Sequence, residues 1–129
     1  EILDGVVASK SNLDPANGLI RNYIVGGLNS YSDTSYKWFG EAAGTAGIAA
    51  AIYRMAVLDP GKGKNYVAFA DSLRKAVAKT VGKDGVLRPV VNPYDWTDKN
   101  PSRTGSPEAQ AFAGMLGASY LDYLGSKSS

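Results

Sequence analysis

Cysteine and histidine are both absent from the 129 residues. Without cysteine there is no disulfide, no thiolate nucleophile and no thiolate metal site. Without histidine the commonest general base and the commonest metal ligand are gone, and with them any Ser-His-Asp triad. Acid–base chemistry near neutral pH falls to Asp or Glu of shifted pKa, or to Tyr or Lys. There is no basic tract of the kind that marks nucleic-acid binding, because 14 Lys and Arg and 12 Asp and Glu are mixed along the chain. There is also no uncharged apolar run of about 18 residues fit to span a bilayer, since Arg54 interrupts the longest one. Neither nucleic acid nor membrane is therefore expected as a partner. Gly44 and Gly47 follow no strand and form no phosphate loop, and no metal-ligand cluster is visible, so no cofactor is expected. The sequence opens on Glu1 without Met, basic region or signal core, as expected of a processed chain or a piece of a longer one.

What is present is ordinary for a soluble globular domain: 44% hydrophobic and 20% charged residues. A chain of this length buries about two thirds of its unfolded surface. Its most informative feature is an internal repeat. Residues 41–58, EAAGTAGIAAAIYRMAVL, lie over residues 108–125, EAQAFAGMLGASYLDYLG, at an offset of 67. Glu41/Glu108, Ala42/Ala109, Ala46/Ala113, Gly47/Gly114, Ala51/Ala118 and Tyr53/Tyr120 coincide. The same offset superposes residues 18–21, Gly-Leu-Ile-Arg, on residues 85–88, Gly-Val-Leu-Arg, and brings Asp4/Asp71 and Ser35/Ser102 into register. Two ungapped blocks at one offset fix architecture before anything else does. They predict one helical domain over 1–129, made of two related units at about 1–62 and 68–129.

The local pattern predicts a short helix in 1–10, ended at 12–15 by Pro15. A long aromatic, glycine-broken loop follows at 18–40, with extended character at 18–25. A helix over 41–58 is apolar nearly all round, with Glu41 favourable to its dipole. Asp59-Pro60-Gly61 stops it, and a short turn makes the next helix antiparallel. Residues 65–81 form an amphipathic helix, with Tyr66, Phe69, Leu73, Ala76 and Val77 on one stripe and Asp71, Arg74, Lys75 and Lys79 opposite. A second long loop spans 86–104. Ser106-Pro107-Glu108 then starts a last helix running to about Leu124. Helices that are apolar nearly all round suit inner positions, and the amphipathic one suits an outer position. Both long loops then lie at one end. The expected fold is all-α, antiparallel helical hairpins of an (α/α) toroid.

The order GEAAGTA, DGVLRP, SPEAQAF resembles the carboxy-terminal part of six-hairpin glycosidases, of the unsaturated uronyl and rhamnogalacturonyl hydrolase type. The similarity covers most of 18–124. It implies a partial (α/α)₆ barrel whose loop face binds an oligosaccharide or polysaccharide, acidic ones included, and a secreted, extracellular protein. In that family a carboxylic acid protonates the double bond of an unsaturated uronic acid. Six hairpins make the full barrel, whereas about two are present here. None of Asp33, Asp84, Asp95 and Asp98 stands in the family's catalytic motif, so no catalytic residue is assigned. A second chain, or self-association, is expected to complete the barrel.

On this reading the substrate-binding candidates are Trp38, Glu41, Arg88, Tyr94, Asp95, Trp96 and Glu108. Trp38 and Trp96 could stack on the C–H faces of a sugar, or simply pack over the barrel end. Glu41 and Glu108, at the inner helix starts, could accept hydrogen bonds from hydroxyls or only favour the helix dipole. Arg88 could grip a uronate carboxylate through two parallel bonds. Its recurrence at Arg21 argues instead for a structural brace. Asp95 flanks Trp96, where a buried carboxyl would have a raised pKa, although solvated loop carboxylates are far commoner. The competing readings are a non-catalytic helical module that binds a glycan or a protein, and a truncated remnant of a larger enzyme.

Overall fold

The computed structural model describes residues 2–8, 12–22, 38–95 and 97–128. Helix α1 (Ile2–Ala8) is followed by α2 (Ala42–Leu58), the short α3 (Pro60–Gly63), α4 (Val67–Ala78) and α5 (Pro107–Ser126). A 3₁₀ turn at Lys64–Tyr66 links α3 to α4. Among the described residues the extended segments make only isolated bridges and no strand, so the fold is all-α. The extended segment expected at 18–25 is seen as bridges at Ile20 and Arg21, and residues 23–25 lie outside the described set.

Each helix follows from a local signal. The Glu41 carboxylate accepts from the Ala43 and Gly44 N–H groups, so it caps α2 rather than forming its first turn. Asp59 ends α2 and caps α3 in turn, with Pro60 at the first position of the new helix. Ser106 caps α5 by accepting from the Ala109 N–H at 3.1 Å, again with proline next. Helix α4 is shorter than the 65–81 pattern predicts. The 3₁₀ turn takes its start, and Val81 leaves to bridge Leu87.

Helix α2 is the hub. The chain reverses through α3, where Gly63 packs so tightly that a Cβ would stand 2.3 Å from the Ala56 Cα. Helix α4 then runs back along α2, with Asp71 accepting from the Tyr53 hydroxyl at 2.6 Å. On its other flank α2 meets α5. The Phe112 ring lies over Gly47, Tyr53 faces Tyr120 and Tyr123 at 5.1 and 5.4 Å, and Arg54 pairs with Asp122 at 3.6 Å. These contacts advance in step along both helices, so α2 and α5 lie side by side and parallel, with contacting residues close to 67 positions apart. Arg74 of α4 reaches the Tyr120 ring at 4.1 Å, which sets α4 over the α2–α5 seam. The core beneath it contains Ala46, Ala49, Ile52, Tyr53, Ala70, Leu73, Val77, Ala109 and Leu116, closed at the loop end by Leu19, Ile20, Leu87 and Val90.

Helix α5 is apolar nearly all round but is not buried all round: only Ala109 and Leu116 are fully buried along it. Phe112, Met115, Leu121 and Leu124 are exposed, because α2 and α4 cover one side and nothing among the described residues covers the other.

Candidate functional site

Both long loops return to the amino ends of α2 and α5, and the same device closes each. Gly18 and Gly85 sit at φ +75° and +77°, a left-handed turn that glycine enters without the cost a Cβ imposes. The next two residues turn inward, with Ile20 and Leu87 both buried. Their N–H groups are met by side chains of the following helix, Ile20 N–H donating to Thr45 Oγ1 at 3.0 Å and Leu87 N–H to Gln110 Oε1 at 2.9 Å. Arg21 and Arg88 then staple each loop. Arg21 donates to the Trp38 carbonyl and lies 3.7 Å from Asp14, while Arg88 donates to the Arg103 carbonyl at 2.7 Å and forks onto Asp84 at 3.0 and 3.1 Å. The guanidinium of Arg88 holds Asp84 below the usual carboxylate range. Arg88 therefore spends its fork on the chain's own carboxylate.

The loop from 86 to 106 encloses a hollow of about 410 Å³ at the start of α5. Asn92, Tyr94, Ser102, Thr104 and Gln110 line it, with Val86, Pro93 and Pro107 supplying apolar wall. Short local bonds fix its rim. Asn92 Oδ1 accepts from the Tyr94 N–H at 3.0 Å, and Asn92 Nδ2 donates to Asp98 Oδ2 at 3.3 Å. Asp98 also accepts from the Asn100 N–H and side-chain amide at 2.9 and 3.0 Å, and these donors hold it below the usual range. The rim turn leaves Tyr94 standing out, 97% exposed. Ser102 and Thr104 hydroxyls lie 3.2 Å apart on the opposite wall.

Of the anticipated residues that are described, only Tyr94 lines this hollow. Asp95 lies on the rim, its carboxylate turned back to the Thr97 N–H and hydroxyl at 3.0 and 2.6 Å. Trp96 lies outside the described residues. Trp38 is buried at 7% exposure, so its ring presents no open stacking face. Glu108 is exposed beside the hollow but does not line it. Nor does it share the role of Glu41, its repeat equivalent, because Ser106 caps α5 from two residues earlier.

Glu41 is the internal member of the set, 6% exposed. Burial pushes its carboxyl above the ordinary value, against N–H donors from Gly44, Ala43 and Val91. Its own N–H donates to Ile20 O at 2.8 Å, and the Ala42 N–H donates to Pro89 O at 2.9 Å. One residue thus ties the first loop to the second at the head of α2. This is a strut rather than a group open to a ligand.

Sequence reasoning missed Asn92, Ser102, Thr104 and Gln110. Short polar residues in an irregular loop have no periodicity to betray them. The one available signal is the Asn-Pro-Tyr-Asp stretch itself, which predicts a turn at that point. Among the described residues there is no group of three or more carboxylates placed to hold a metal ion. No helix is long and apolar enough to cross a membrane, again among the described residues. Comparison with protein-family models, with curated proteins and with solved structures returns no match for this chain.

Proposed function

We propose that this chain is a carbohydrate-binding segment of an (α/α) toroid, with its saccharide site in the hollow between residues 86 and 110. The observation that carries the reading is the outward Tyr94 ring, 97% exposed beside a hollow that combines the hydroxyls and amides of Asn92, Ser102, Thr104 and Gln110 with an apolar wall of Val86, Pro93 and Pro107. Aromatic faces take up the C–H surface of a sugar ring, while Ser102, Thr104 and Asn92 supply the donors and acceptors that its hydroxyls need. Support for the toroid comes from the parallel α2–α5 pair with α4 laid over its seam, and from both loops closing at one end. Support for the sugar comes from this hollow together with the resemblance to unsaturated-uronide hydrolases.

Binding, rather than cleavage, is what these residues favour. A glycosidic general acid must be neutral and open to substrate. Asp98 is held ionised by its amide donors, Asp95 is folded back on Thr97, and Glu41 is sealed under the loops. The test is calorimetric titration with acidic and neutral oligosaccharides of increasing length. Saturable binding to one series is expected, with Tyr94→Ala weakening it about tenfold, or about 1.4 kcal/mol. Absence of saturable binding to both series, or unchanged affinity in Tyr94→Ala, overturns the reading.

A further inference from the structure

Among the described residues, no charged side chain lines the hollow at the start of α5. Val86, Pro93 and Pro107 give it an apolar wall, and Asn92, Ser102 and Thr104 supply an amide and two hydroxyls. The charged residues of the same stretch stand outside the lining, with Asp95, Asp98 and Glu108 set against Lys99 and Arg103. The volume of about 410 Å³ falls in the range of about 300–1,000 Å³ that small-molecule clefts occupy.

Resting on the saccharide reading above, we infer that this hollow takes a neutral saccharide and discriminates against the uronate that the resemblance implies. Three observations carry the inference. The first is the want of a partner for a carboxylate. A carboxylate drawn out of water needs a cation or several N–H donors within reach. Arg88 braces this loop, but its fork and its Nε–H are already committed. They go to the Asp84 carboxylate at 3.0 and 3.1 Å and to the Arg103 carbonyl at 2.7 Å. Asp98 on the rim is held ionised by its amide donors, so an approaching anion meets like charge.

The second is the helix end. An open helix amino terminus attracts anions through its dipole and its unpaired N–H groups. At α5 that attraction is already answered. Pro107 brings no N–H, the Ala109 N–H goes to Ser106 Oγ at 3.1 Å, and Glu108 sets a carboxylate in the first turn. The third is what the lining does offer. The Ser102 and Thr104 hydroxyls, 3.2 Å apart, and the Asn92 amide can each donate and accept, which suits the hydroxyl groups of a sugar. Tyr94, 97% exposed, and the two prolines present apolar surface to its C–H faces. A ring bearing hydroxyls alone uses all of these groups, whereas a carboxylate uses only the donors.

The test titrates matched pairs by calorimetry. Hexasaccharides of galacturonic, glucuronic and mannuronic acid are each set beside the same chain with its carboxyls reduced to primary alcohols. In at least one pair the reduced form should bind more tightly than its acid parent by about tenfold or more. Its affinity should hold between about 20 and about 300 mM sodium chloride, as binding without ion pairs requires. Thr104→Lys, at an exposed position of the wall, should shift that pair's preference toward the acid by about tenfold or more. Acid forms that match or outbind their reduced partners overturn the inference and leave the sugar site standing. A Thr104→Lys protein whose preference does not move overturns it too, because the ligand then lies elsewhere. Absence of binding in every pair removes the saccharide reading itself, and this inference with it.

Discussion

Glu41 shows how one side chain can oppose its neighbours in acid. Burial raises its pKa above 4.5, so the folded state holds that proton more tightly than the unfolded one. Its contribution to stability is fully present below 4.5 and is lost as pH rises through the raised value. Asp84 and Asp98 behave oppositely, held below 3.8 by Arg88 and by the amide donors of Asn100 and Asn92. At Asp14 burial pulls upward, but the Gly40 and Ala16 N–H groups and Arg21 outweigh it, leaving this carboxyl lowered as well. Stability from these aspartates is present above 3.8 and is lost as pH falls through their lowered values. The melting temperature should therefore rise on acidification from neutrality toward pH 4.5 and then fall. Glu41→Gln should flatten the first limb and leave the second. A wild-type melting temperature that falls steadily from neutrality would contradict this.

Helix boundaries and register came from different kinds of signal, and they were legible to different degrees. The offset of 67 residues matched Gly47 with Gly114 and Tyr53 with Tyr120, and the parallel α2–α5 pair keeps nearly that spacing in its contacts. A repeat survives because equivalent side chains fill equivalent holes. The cap of α5 was half visible: Ser106 and Pro107 announced it, while the match of Glu108 to Glu41 paired two carboxylates of which only Glu41 turns back to cap its helix. The α2–α4 corner was legible only as Asp-Pro-Gly, without the close approach that Gly63 makes to Ala56. A methyl group there meets main chain, which cannot step aside as a flexible side chain would. Gly63→Ala should therefore cost about 1–3 kcal/mol, read as a lower urea midpoint at unchanged slope. An unchanged midpoint would show that the corner has slack.

At the scale of the whole molecule, two sequence units share one core. Tyr53 meets Asp71 of α4 and both Tyr120 and Tyr123 of α5, so neither unit has an interior of its own. Urea unfolding followed by circular dichroism and by tryptophan fluorescence should give coincident single transitions, and two separated transitions would mean the units fold independently. The free side of α5 was foreshadowed only in the expectation that a second chain or self-association completes the barrel. Its extent could not be read from residue pattern, because a helix that is apolar all round looks the same whether or not a neighbour is supplied. The hollow at Tyr94 was the least legible feature, since its walls are assembled by loop closure alone. That closure has a further consequence. Arg88 grips an oxygen of the main chain at Arg103 and a carboxylate at Asp84, both outside the interval that presents Asn92 and Tyr94. Asn92 and Asp98 still fix the rim, but the Tyr94 side chain, 97% exposed, takes no part in those bonds. Its chemistry can be exchanged to aim the same frame at a different ligand, making position 94 a graftable one.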